Sequence, residues 1–144
     1  MAITFRYVHV PRQDGSLRKA PYIYIYARTK EGRLIKVVAL LDTGADTTVV
    51  PKDLAELLGL TEGIEQDTGG IGGNTKVKQS RMQFVIKGQH ETHQITVPVL
   101  ILQNRKADVP LLLGRSGFFE NFNITIRQNE EKITLKKVQS KKQF

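Results

Sequence analysis

The chain has 144 residues, 40% hydrophobic and 25% charged, with a net charge of +8 at pH 7 and no cysteine. That length suits one domain with a substantial core, and the missing cysteines exclude disulfides, thiol nucleophiles and cysteine-based zinc sites. No stretch approaches the roughly 18 uninterrupted apolar residues of a membrane span, and the N-terminus lacks the apolar run of a secretory signal, so a cytoplasmic location is expected and no membrane partner.

The positive charge is concentrated at the ends. Residues 1–21 carry four Arg/Lys against one Asp, and residues 127–144 carry six against two acids. The stretch 136–142 reads as a frayed, solvated tail, so nucleic acid is not the expected partner.

Period-two patterning dominates the chain. Tyr22-Ile23-Tyr24-Ile25-Tyr26-Ala27 predicts a strand, residues 30–33 a hairpin turn, and residues 34–41 a second strand that runs straight into Asp42. The one helix is expected over residues 51–58, with Pro51 in its first turn, Leu54, Leu57 and Leu58 on one face, and Gly59 as its stop. Residues 61–75 are polar and glycine-rich, centred on Gly69-Gly70-Ile71-Gly72-Gly73. Strand patterns return at 76–87, with Met82, Phe84 and Ile86 on one face, and at 94–102. Leu111-Leu112-Leu113-Gly114 is a short buried run. Residues 123–127 and 132–138 predict a last hairpin. The fold class is therefore all-β with one short helix, without an internal repeat.

One carboxylate stands out. Asp42-Thr43-Gly44 forms a tight polar turn between apolar runs; the tripeptide recurs as Asp67-Thr68-Gly69, but there it lies in the polar, glycine-rich stretch. By itself it has a common turn composition. Its context gives it chemistry, because acid–base hydrolysis with carboxylates normally uses two of them. A single copy set between apolar runs implies that two chains meet to make one site. Two like charges about 3 Å apart share one proton, so one acts as base and the other as acid. Thr43 offers a hydroxyl and an amide to brace the turn, and Gly44 admits a close backbone approach. Residues 69–73 suit the tip of a β-hairpin flap, with Ile71 capping an apolar pocket. Leu112-Leu113-Gly114-Arg115 supplies an apolar strand behind the turn, then a glycine, then a cation able to pair bidentately with Asp46.

With these elements in order, the chain resembles the retropepsins, the retroviral-type aspartic proteases. The resemblance rests on Leu-Leu-Asp-Thr-Gly-Ala-Asp-Thr-Thr-Val at 40–49, Gly-Gly-Ile-Gly-Gly followed by Lys76-Val77-Lys78-Gln79, and Leu-Leu-Gly-Arg at 112–115, and it spans residues 22–122. It implies a closed antiparallel β-structure with its site on a homodimer twofold axis. It also implies that Asp42 is catalytic, with Thr43 interlocking across the dimer. Gly44 and Asp46 would hold substrate backbone, with Ala45 a small residue beside it. Gly69, Gly70, Ile71, Gly72 and Gly73 would form the flap, and Leu113, Gly114 and Arg115 would support the loop. No metal or cofactor is implied, and the substrate is a polypeptide.

The implied organisation is an N-terminal extension over 1–21, a protease domain over 22–138 and a basic tail over 139–144. The first twenty residues could be a flexible arm, a self-cleaved leader or an extra strand. The hairpin ending resembles cellular and prokaryotic members more than viral ones. The rival reading is a peptide-binding dimer with little or no turnover. His90 and His93 lack the further ligands of a metal site. Phe118, Phe119 and Phe122 read as core aromatics.

Overall fold

The computed structural model describes residues 2–60, 63–68, 75–104 and 109–139. In chain order the strands are β1 (Ala2–Arg6), β2 (Val10–Pro11), β3 (Leu17–Arg18), β4 (Tyr22–Arg28), β5 (Leu34–Leu41) and β6 (Thr48–Val50). After the helix α1 (Lys52–Leu57) come β7 (Ile64–Thr68), β8 (Thr75–Lys87), β9 (Thr92–Leu102), β10 (Leu111–Leu113), β11 (Phe122–Arg127) and β12 (Lys132–Lys137). The all-β expectation holds.

The main sheet has the order β4-β5-β10-β6-β9-β8-β7, and a further pairing of β4 with β8 closes it into a barrel. Alternation explains the closure. Ile23, Ile25, Ala39, Leu41, Phe84, Ile86, Val97, Val99, Ile101, Leu111 and Leu113 are all buried in one core, and they are the inward-facing residues of their strands. Met82 joins Phe84 and Ile86 there, as its period-two spacing predicts.

The second sheet, β1-β12-β11, comes from the two ends of the chain. Ala2–Arg6 pairs antiparallel along β12, from Ala2 opposite Lys136 to Arg6 opposite Lys132. Ile3 is buried, and a side chain at Gly88 would meet its Cγ1 at 2.7 Å, so β1 is packed onto the β8–β9 turn. Of the forms open to the first residues, β1 is thus an added strand. Lys136 and Lys137, read from sequence as part of a frayed tail, lie in β12. Lys137 donates to the Asn121 side-chain oxygen at 3.1 Å.

The helix is shorter than the pattern predicts, and Pro51 caps it from outside. It ends in a Schellman turn: Gly59 N donates to Glu56 O at 3.1 Å and Leu60 N to Ala55 O at 2.8 Å, with Gly59 at φ +74°. Ala55 and Leu58 face the core, while Leu57, expected inside, is 46% exposed. Phe118 and Phe122 are core aromatics in ring contact at 5.3 Å. Among the described residues, no helix is long and apolar enough to cross a membrane.

Candidate active site

Asp42 follows β5 directly, and the sheet topology fixes where it emerges. Strand β10 lies between β5 and β6, parallel to the first, with Leu111, Leu112 and Leu113 opposite Ala39, Leu40 and Leu41. It runs antiparallel to the second, with Leu112 opposite Val49. Because β10 fills the gap between them, β5 and β6 cannot pair with each other. The residues joining them must therefore loop over the end of β10.

That loop is held from inside and from behind. Asp42 N donates to Leu113 O at 3.0 Å, and Ala45 N donates to Asp42 O at 3.2 Å. Gly44 N donates to the Asp42 Oδ1 atom at 2.9 Å, which orients the carboxylate. A side chain at Gly44 would come within 3.2 Å of the same oxygen. From behind, Arg115 N donates to Ala45 O at 2.9 Å and Ser116 N to Asp46 O at 2.8 Å. Gly114 N donates to the buried Thr48 hydroxyl at 3.2 Å. A Cβ at Gly114 would strike Thr47 C at 2.6 Å and Thr47 O at 2.7 Å, so only glycine lets the two segments approach this closely.

Arg115 reaches the loop with its side chain as well. Its fork is divided: one nitrogen donates to the Thr43 carbonyl at 2.7 Å, and the other pairs with the Asp46 carboxylate. The bidentate Asp46 contact expected from sequence is therefore a bridge between two loop residues. Asp42 is half-buried, Ala45 likewise, and Thr43, Gly44 and Asp46 are exposed. Residues 69–73, the expected flap, lie outside the described residues. Their flanks β7 and β8 form an antiparallel pair from Ile64 opposite Gln79 to Thr68 opposite Thr75.

One set of residues beside Asp42 went unread in the sequence. Leu40, Leu112, Val49 and Leu100 form a cross-strand row over β5, β10, β6 and β9. Row partners share a face of the sheet, here the outer one, and all four are only half-buried. The row continues to Gln79 and Ile64, and Ile64 is 75% exposed. Asp42 follows Leu40 on the same alternation. The available signal was the unbroken Leu40-Leu41 and Leu111-Leu112-Leu113 runs, because a strand with only one face in the core alternates.

A family model described as "gag-polyprotein putative aspartyl protease" matches residues 30–120. The chain belongs to that family. The matched span of this aspartyl protease family member contains the Asp42 loop, its outer row and the Leu113-Gly114-Arg115 support. The crystal structure of a retropepsin-like aspartic protease from Rickettsia conorii is similar in fold, with a TM-score of 0.59 and 21% identity. The likeness covers 94% of this chain and 92% of that one, so the retropepsin-like fold extends beyond the family match. No curated protein is matched by the chain.

Proposed function

We propose that this family member is a homodimeric aspartic endopeptidase, each active site formed by two Asp42 carboxylates across a twofold axis. The observation that carries the reading is the Asp42 loop. It is braced by β10 and Arg115 and stands at the end of an uncovered apolar row, whereas Asp67 of the other Asp-Thr-Gly lies in the polar strand β7, opposite Lys76.

The two carboxylates share one proton. The ionised member takes a proton from a water, whose oxygen attacks the scissile carbonyl carbon. The protonated member gives its proton to the carbonyl oxygen, forming a tetrahedral diol. Collapse of the diol breaks the C–N bond as the departing nitrogen takes up a proton. Thr43 braces the loop across the dimer. Gly44, Ala45 and Asp46 flank an extended substrate, and Gly69, Gly70, Ile71, Gly72 and Gly73 close over it. Leu40, Val49, Leu100 and Leu112 form the apolar floor beneath its side chains, while Leu113, Gly114 and Arg115 hold the loop in register. Strand-like backbone pairing gives affinity, and the floor gives selectivity.

The test is a cleavage map of a mixed peptide library with wild type and Asp42→Asn. Cuts confined to wild type, with a bell-shaped pH dependence, are expected. A library left intact by a folded, dimeric wild type would favour the peptide-binding reading without turnover.

A further inference from the structure

A second feature lies away from the Asp42 loop, at the edge of the terminal sheet. Strand β12 takes one edge of β1, and among the described residues no strand pairs with the other. In an antiparallel ladder every second residue turns its N–H and C=O away from the partner strand, so β1 presents unpaired backbone groups outward. Such an edge is a template for a further strand, and natural sheets guard it with charges, proline or a bulge. Ala2-Ile3-Thr4-Phe5 carries neither charge nor proline, and its ladder with β12 runs unbroken.

The edge borders a groove. A pocket of about 810 Å³ lies between Ala2–Phe5 and the β8–β9 turn at Gly88–Glu91, with Tyr26 and Lys87 also in its lining. That volume falls in the range of roughly 300–1,000 Å³ that holds whole ligands. Phe5 and Tyr26 are only half-buried, so they offer apolar surface to an incoming side chain. Tyr26 lies opposite Lys36, which is six positions before Asp42. At roughly 3.3 Å per residue of extended strand, the two are about 20 Å apart. The groove is therefore separate from the Asp42 loop.

Its charges are one-sided. Lys87 Nζ stands 4.4 Å from the Tyr26 ring centroid, and Glu91, the one acid in the lining, is turned to the His93 ring at 3.0 Å. Beyond the groove Arg6 lies opposite Lys132 and Lys132 opposite Arg127, and like charges directly opposite each other destabilise a sheet. Glu130 relieves Arg127 at 3.5 Å, whereas Arg6, Lys132 and Lys87 form no ion pair among the described residues. Arg6 and Thr4 share one face of β1, and the groove with Lys87 lies towards the other. A strand added beside β1 can thus meet a cation on either face.

We propose that β1 and the β8–β9 turn form a docking site for an extended, acidic segment of another protein, which joins the terminal sheet as a fourth strand. Backbone pairing with β1 holds the segment. Its carboxylates face Arg6 and Lys87, and an apolar side chain lies over Phe5 and Tyr26. Neither the site nor its test depends on the protease reading.

The test titrates fluorescent peptides of about six residues, the usual length of a strand, into full-length Asp42→Asn, so that no peptide is cut. One peptide alternates Glu with Val and Tyr, and its control carries Lys in place of Glu. The acidic peptide is expected to bind, more weakly as salt rises, and to slow amide exchange at residues 2–6. Lys87→Glu and Arg6→Glu, both at exposed positions, are each expected to weaken it about tenfold and to strengthen the lysine control. No binding, equal binding of the two peptides, or an affinity unmoved by both charge reversals would overturn the site. So would protection confined to the Asp42 loop. Protection of residues 2–6 that grows with protein concentration in the absence of peptide would assign the edge to a second copy and overturn it too.

Discussion

Arg115 exemplifies a residue whose contribution to stability and contribution to the site differ in size. Its guanidinium and the Asp46 carboxylate are 52% and 85% exposed, and exposed ion pairs are worth about 0–1 kcal/mol. Yet the same fork fixes two loop residues, and a misplacement of about 1 Å at a reacting centre costs on the order of a hundredfold in rate. Arg115→Ala is therefore expected to shift the melting temperature by only a few degrees, with kcat/KM for a peptide falling about a hundredfold. Arg115→Lys should recover little, since an ammonium cannot span both partners. Parallel melting curves and peptide kinetics check this; equal losses of stability and rate would reduce Arg115 to a structural contact. Tyr7 gives a pH prediction at the same scale. Burial raises its hydroxyl above the ordinary value of 10.0, and the Glu131 carboxylate adds to the effect. The unfolded chain then ionises first. The stabilisation is complete below the ordinary value and is lost as pH rises through the folded one. Tyr7→Phe removes the 2.7 Å bond to Gln128 and is expected to cost about 0.5–1.5 kcal/mol near neutrality, with a shallower decline on the alkaline side. Urea melts from neutral to strongly alkaline pH measure both.

At the scale of elements, β1 carries more than its length suggests. Ile3 is 5% exposed, and truncating a buried isoleucine to alanine costs about 2–5 kcal/mol. Ile3→Ala should lower the melting temperature markedly, and removal of residues 1–6 more so; an unmoved melting curve would mean that β1 is not docked in solution. Strand β1 also marks a limit of sequence reading. Ala2-Ile3-Thr4-Phe5 alternates for too few residues to declare itself, and only the ladder with β12 makes it a strand. Strand β7 was expected only as a strand-like flank of residues 69–73, without bounds, for another reason. Ile64-Glu65-Gln66-Asp67-Thr68 is a polar edge strand with no core-facing apolar series. Leu57 was misplaced because a six-residue helix turns too few times for the leucine spacing to fix its buried face. By contrast β4, β5, β8 and β9 were legible because their alternating residues enter the core. The Asp42 loop and Gly114-Arg115 were legible because the loop constrains side-chain chemistry locally. Leu40 and Val49 were not, since their half-exposure follows from their neighbours across β10.

For the whole molecule, the net charge of +8 bears on association. Two copies repel, and salt screens that repulsion over a Debye length of about 8–10 Å at physiological strength. The proposed dimer should therefore tighten as salt is added from a low level, whereas binding to nucleic acid would weaken. Specific activity should fall on dilution, since each proposed site needs two chains. Sedimentation and activity measured over a dilution series at two salt concentrations check both. Constant activity in a demonstrably monomeric sample would eliminate the shared site.

The threading of β10 also sets an order in time. Thr43 is bonded to a residue 72 positions further along the chain, and the loop over β10 cannot take its shape until Leu111–Leu113 has entered between β5 and β6. Contacts of such sequence separation form late, because a long loop must close before they stabilise anything. During synthesis the aspartate is made early, but its loop stays unformed until the last third of the chain arrives. Under the proposed function, a nascent copy is thus inert towards its neighbours until its own fold is nearly complete.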